Sequence, residues 1–306
     1  MQQMIKGVIP SLPTPFTPDL EVDHGSLARV VDYAIAAGAH GLIVMELQGE
    51  HFSLGDGERK QAVETILKAA NKRVPVIVGV SAATQEQSLI FAQHAEQNGA
   101  DALIATPPFF RGQSPQRINT FYQALHANTS LPIVVQSSPV GMGSGISTTQ
   151  QLELVKNNKN IQYLLNENFS NMLTITSLMD EMKKLPENSD VPIAIGSGSS
   201  ATMMPYEYSR GARFFVPSVE LTELFVDLWD ALESGDEKAI LNKYKILAAP
   251  LMFGINYVRS FTKGMLKRRG IIDHITVREA SKPAFDDIQE KELDYWKERL
   301  QPLFRV

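Results

Sequence analysis

Four short polar tails, each closing an apolar run, carry the side chains in this chain that could do chemistry. They are Glu46-Leu47-Gln48-Gly49-Glu50-His51, Gln136-Ser137-Ser138-Pro139, Asn166-Glu167-Asn168 and Gly196-Ser197-Gly198-Ser199-Ser200. Glu46 and Glu167 suit general acid–base work if the fold holds them close, and His51 suits a base near neutral pH. The plainer readings are a hydrogen-bonded structural glutamate and a loop histidine. Leu47, Gln48, Gln136, Ser137, Asn166, Asn168, Ser197 and Ser199 are the ligand-contact candidates. Gly196 to Ser200 would open a helix whose backbone N–H groups could hold an anion, or would simply cap it. Metal is not expected: of six histidines only His51 lies in such a tail, and no His-x-His or His-Glu-x-x-His spacing occurs. No cofactor is expected either.

Bulk properties narrow the choice. The chain has 306 residues, 43% of them hydrophobic, enough for two ordinary domains or one large α/β barrel with an appendage. A net charge of −5 gives no basic field for nucleic acid or an anionic membrane. Cysteine is absent, which excludes disulfides, thiolate metal sites and a Cys nucleophile. No signal-peptide pattern and no apolar run near the roughly 18 residues of a membrane span are present. A soluble cytoplasmic protein with a small-molecule ligand is the expectation, without nucleic-acid or membrane partners.

The elements that must position these tails recur with a rhythm. Gly38-Ala39, Gly99-Ala100 and Gly211-Ala212 each precede an apolar run by a few residues, and Pro75, Pro132 and Pro192 each open a β-branched one. Such a Gly ends the preceding helix, and Pro is tolerated at a strand's first position. The runs are continuous rather than alternating, as in parallel strands buried on both faces. With Gly7-Val8-Ile9-Pro10 and Ile161 to Leu165 they make eight strands. Between them helical spacing appears, as in Leu27, Val30, Val31, Ala34 and Ile35, or in Ile118, Phe121, Tyr122 and Leu125 after Ser114-Pro115. Eight such units predict an α/β fold, a (β/α)8 TIM barrel over residues 1–223; a doubly wound sheet is the rival. Residues 224–306 read as a C-terminal helical region packed on the barrel, with a loop from Ile275 to Pro283. In a barrel, the site lies at the strands' C-terminal ends, where the four tails stand.

In order and spacing the chain resembles the dihydrodipicolinate synthase / N-acetylneuraminate lyase family. The resemblance rests on Thr14-Pro15-Phe16, Gln48-Gly49-Glu50, Thr106-Pro107-Pro108, Pro139, and Lys263-Gly264-Met265-Leu266-Lys267-Arg268-Arg269-Gly270 followed by Val277-Arg278. It implies a barrel, usually a homo-oligomer (dimer or tetramer), that forms a Schiff base between pyruvate and a lysine on the sixth strand.

At the position of that lysine the chain has Asn166, followed by Glu167; a one-residue shift places Leu165 there instead. An amide nitrogen, its lone pair delocalised, cannot attack a carbonyl as an amine does. None of the sixteen lysines falls at a strand's C-terminal end. By the same resemblance, Leu47 and Gln48 replace the threonine pair that binds the keto acid, Gln136 and Phe110 replace two relay tyrosines, and Gly141 stands near a lost arginine. Glu46, in place of a glycine, would repel an α-keto acid if it points into the pocket. The expectation is a divergent member without Schiff-base activity that binds a small polar metabolite or serves as a noncatalytic paralogue. The alternative is a lyase or hydratase on a small oxo or hydroxy acid using Glu46, Glu167 or His51. Ordinary pyruvate chemistry through an unexpected lysine is the third possibility.

Overall fold

Short strands and longer helices alternate from the start of the chain. The computed structural model describes residues 5–108, 114–138, 145–167, 171–183, 193–278 and 285–306. The strands are β1 Gly7–Val8, β2 Leu42–Val44, β3 Val76–Gly79, β4 Ala102–Ala105, β5 Ile133–Ser137, β6 Ile161–Asn166, β7 Ala194–Ser197 and β8 Phe214–Phe215. The helices are α1 His24–Ala36, α2 Asp56–Ala70, α3 Gln85–Gln97, α4 Pro115–Ala127, α5 Thr148–Asn157, α6 Asn171–Met182, α7 Met204–Tyr208, α8 Thr222–Ser234, α9 Glu237–Gly254, α10 Val258–Arg268 and α11 Asp287–Leu300.

Local chemistry sets many of these boundaries. Asp23, Thr84, Ser114 and Ser147 each accept a hydrogen bond from a backbone amide of the first turn of α1, α3, α4 and α5. Each such cap is worth about 1 kcal/mol. Gly38, Gly99 and Gly211, just past α1, α3 and α7, adopt φ of 94°, 88° and 110°, a region that side-chain-bearing residues avoid. The repeated Gly-Ala pairs are therefore helix stops. The strands they lead into, β2 and β4, are buried at every residue.

The chain forms two compact units. In the first, β3 to β8 are parallel neighbours in strict chain order, interleaved with α3 to α7. A doubly wound sheet would reverse its order, and this one does not. In the second, Ser11 bridges Ile43 in parallel, α8 packs on β1, α1 packs on α2, and α11 packs on α10. Eight strand–helix units followed by α9 to α11 constitute a (β/α)8 barrel with a C-terminal helical appendage, as the repeat predicts. The expected loop from Ile275 is non-helical through Arg278, and its remainder lies outside the described residues.

Candidate functional site

Register places the polar tails of the first unit. Ser137, Asn166 and Ser197 lie side by side across β5, β6 and β7. All three side chains turn toward the helices. The Ser137 hydroxyl bonds the backbone N–H and C=O of Ile146, ahead of α5, at 3.0 and 3.3 Å. Asn166, fully buried, pairs amide to amide with Gln151 of α5. The Ser197 hydroxyl accepts from Asn171, the first residue of α6, at 3.0 Å.

Side chains alternate along a strand, so the residues flanking this row face away from the helices. One inner row is Gln136, Leu165, Gly196 and Phe214, in direct register. The Phe214 ring lies across Gly196 so closely that a Cβ there would sit 2.2 Å from it. The next row holds Glu167 and Gly198, whose amides continue the ladder to Ser137 and Asn166 at 2.9 and 3.0 Å. Gly198 leaves room for Glu167: a Cβ would fall 2.4 Å from the Glu167 Cγ. Gln136 Nε2 donates to Glu167 Oε2 at 3.1 Å. Burial pushes the Glu167 pKa up, while the neighbouring Ser138 hydroxyl and Gln136 amide oppose the shift. Part of Glu167 remains open to solvent.

In the second unit the tail after β2 is a tight turn bracketed by Met45 and Glu50, at φ of 59° and 50°. The Leu47 carbonyl accepts from Arg259 Nε at 3.1 Å, and Gln48 Nε2 donates to the Ser218 hydroxyl. Glu46 is buried near the buried guanidinium of Arg59. Burial lowers the Arg59 pKa to about 10, and the negative charge of Glu46 works against that shift. His51 is buried as well, and desolvation reinforced by the Arg59 charge lowers its pKa to about 3. A base so weak stays unprotonated at neutral pH and has little drive to take a proton, which weighs against His51 as a general base.

Lys263 of α10 is the only lysine among the described residues that is buried. Its Nζ donates to Glu50 Oε1 at 2.6 Å and to the Thr276 carbonyl at 2.7 Å, and lies 4.4 Å from the centre of the Phe16 ring. The Arg278 backbone N–H donates to the other Glu50 oxygen at 2.9 Å. Desolvation draws the Lys263 pKa down to about 8, against the attraction of Glu50.

Of the residues singled out in the sequence, Gln136 and Glu167 come together on one face. Ser137, Asn166 and Ser197 do not join them, because β alternation turns them to the helix layer. Ser199 begins a left-handed turn through Ala201, and α7 starts only at Met204 and spans five residues. The expected helix N-terminus directly after Ser200 is therefore not formed. Phe110, Gly141 and Asn168 lie outside the described residues. Sequence reasoning put Thr106 at the end of a strand, directly after an apolar run, but gave it no ligand contact, and it missed Gln151, Arg59 and Lys263 as partners of the polar tails. Among the described residues no three His, Asp or Glu side chains are grouped to hold a metal ion, and no helix is long and apolar enough to cross a membrane.

Comparison with known proteins gives a consistent answer. Residues 4–297 match the model of the dihydrodipicolinate synthetase family. A 4-hydroxy-tetrahydrodipicolinate synthase of Agrobacterium fabrum is 29% identical over 281 residues, covering 87% of this chain and 90% of that protein. Among solved structures, a dihydrodipicolinate synthase from Rhodopseudomonas palustris superposes with a TM-score of 0.88 at 24% identity, over 96% of this chain and 97% of the other. An N-acetylneuraminate lyase from Mycoplasma synoviae gives 0.83 at 17% identity, over 97% and 98%.

Proposed function

The chain belongs to the dihydrodipicolinate synthetase family, and from that premise we propose that it forms no imine at β6 and instead binds a small polar metabolite as a noncatalytic member. One observation carries this reading: the end of β6 offers no amine on either face. Asn166 is tied to Gln151 on the helix side, while Leu165 and Glu167 take the inner positions. Glu167, Gln136 and the neighbouring Ser138 supply the polar contacts for the ligand. Like its relatives by resemblance, the protein is proposed to be a cytoplasmic homo-oligomer, a state that light scattering of the purified chain measures directly.

Intact mass after incubation with pyruvate and borohydride tests the reading, since borohydride fixes any imine as a permanent adduct. The expected result is an unchanged mass beside a family member that gains one pyruvate. The desolvated amine of Lys263 is the competing nucleophile. Two strong acceptors already hold it, and an adduct mapped to Lys263 would overturn the proposal.

A second reading has its own support. A carboxyl whose pKa burial pushes up is shifted in the direction a general acid needs. On that reading the protein is a lyase or hydratase acting on a small oxo or hydroxy acid through Glu167, and Glu167→Gln abolishes a turnover that the parent chain shows. Glu46 is the weaker partner for such chemistry because its charge is set against Arg59.

A further inference from the structure

The inner face at the ends of β4, β5 and β6 holds hydrogen-bonding capacity that no described residue uses. Thr106 directly follows β4. Because Ala105 is in register with Val135, Thr106 stands level with Gln136 and faces the same way. Thr106 is fully buried and Gln136 is 2% exposed, and among the described residues neither the Thr106 hydroxyl nor the Gln136 carbonyl oxygen has a hydrogen-bond partner. Each such group, left unsatisfied, carries the cost of losing its water without a replacement hydrogen bond. Two on adjacent strands, beside the partly accessible Glu167, are a cost that a ligand can recover. The amide of Gln136 is oriented by its bond to Glu167, which fixes the carbonyl as the end left over.

The chemistry of the set specifies what fits. Thr106 can donate or accept, the Gln136 carbonyl only accepts, and a Glu167 carboxyl that retains its proton donates through its O–H. Burial moves the Glu167 pKa up, in the direction of that form, against the Ser138 and Gln136 hydrogen bonds. Every described lysine and arginine of this unit is exposed, so among the described residues none brings a positive charge to its inner face. The floor beneath is apolar, formed by Leu165 and the Phe214 ring over Gly196. An anionic carboxylate would lose its hydration here without meeting a countercharge.

We propose that Thr106, Gln136 and Glu167 form a recognition site for a small uncharged hydroxy-carbonyl compound, and that the site discriminates against α-keto acids. The carbonyl oxygen of the ligand accepts from Glu167 and Thr106, and its hydroxyl donates to Gln136. This rests on the reading that the site binds without forming an imine.

Hydroxyacetone and pyruvate make a matched probe pair, since they differ only in a hydroxymethyl group against a carboxylate. Calorimetric titration of the intact chain at pH 7 is expected to give hydroxyacetone an affinity at least about tenfold above that of pyruvate. Thr106→Val is expected to lower hydroxyacetone binding about fivefold or more, with Thr106→Ser restoring it and both variants melting with the parent. Pyruvate binding as tightly as hydroxyacetone, no binding of hydroxyacetone, or an unchanged affinity in a folded Thr106→Val overturns the proposal. If hydroxyacetone fails while borohydride traps nothing, only this inference falls. A trapped pyruvate removes the reading beneath it.

Discussion

Gln151 of α5 donates to the Asn166 carbonyl at 3.0 Å and accepts from the Asn166 amide at 3.4 Å, so the last residue of β6 is locked into the helix layer. A lysine introduced at 166 would therefore point away from the inner face. Asn166→Lys is expected to trap no pyruvate under borohydride and to lose about 2–4 kcal/mol of stability, because an amine is buried beside an amide. Leu165→Lys, one residue earlier and on the inner face, is the variant expected to gain an adduct. Mass spectrometry of the two side by side decides which face matters. An adduct on Asn166→Lys alone would contradict the register given above.

Gly196→Ala tests the packing of the inner row. The added methyl would lie 2.2 Å from the Phe214 ring, and ring and backbone must both shift. Overpacking of this kind costs about 1–3 kcal/mol. Urea denaturation is expected to show that loss, with part of it recovered when Phe214→Leu is added.

The Glu50–Lys263 pair joins the turn after β2 to α10, and both side chains are wholly buried. Removing one partner strands the other charge. Lys263→Met and Glu50→Gln are each expected to destabilise by about 3–5 kcal/mol, and the double variant by clearly less than the sum. A chemical-denaturation cycle giving additive losses would show that the two groups do not depend on one another.

Stability should respond to pH through groups whose ionisation differs between the folded and unfolded chain. Burial raises the Glu220 pKa to about 7, with the Thr262 hydroxyl and the Arg269 charge opposing it, and burial raises Glu167 and Glu207 too. Between the unfolded carboxylate value near 4.5 and about 7 the folded chain holds more protons, so stability falls as pH rises through that window. His51 acts in the opposite sense: from about 3 to 6.5 the unfolded chain binds the extra proton, and stability is lost as pH drops. Glu220→Gln is expected to flatten the decline toward neutral pH by about 3 kcal/mol at most. His51→Gln is expected to flatten the acid limb. Melting temperatures recorded from pH 4 to 8 for the three proteins provide the check.

The sequence made the fold legible because its signals are local and repeated. Gly38, Gly99 and Gly211 stop helices through their own backbone preference, and Ser114-Pro115 opens α4 without help from distant residues. That β6 itself carries no lysine was readable for a similar reason, since a residue type is either present or not. What the letters concealed was direction. Asn166 and Glu167 are neighbours in sequence, yet one belongs to the helix layer and the other to the inner face. That assignment depends on the partner Gln151, fifteen residues away on another element, and on the register across three strands. His51 looked like a titratable base because its burial and the cation of Arg59 arise only from tertiary packing.

The ring of Phe214 across Gly196 also bears on how readily an amine could be placed on the inner row. An amine returned to the inner row at Leu165 must find space next to a glycine already roofed by that ring. Shrinking Phe214 first would open a void in the core and cost stability before any activity appeared. Installing the amine first would bury a cation on an apolar floor. Each order of events passes through a worse protein than the one that started. If, as proposed, the chain forms no imine, the ring would act as a ratchet against acquiring one.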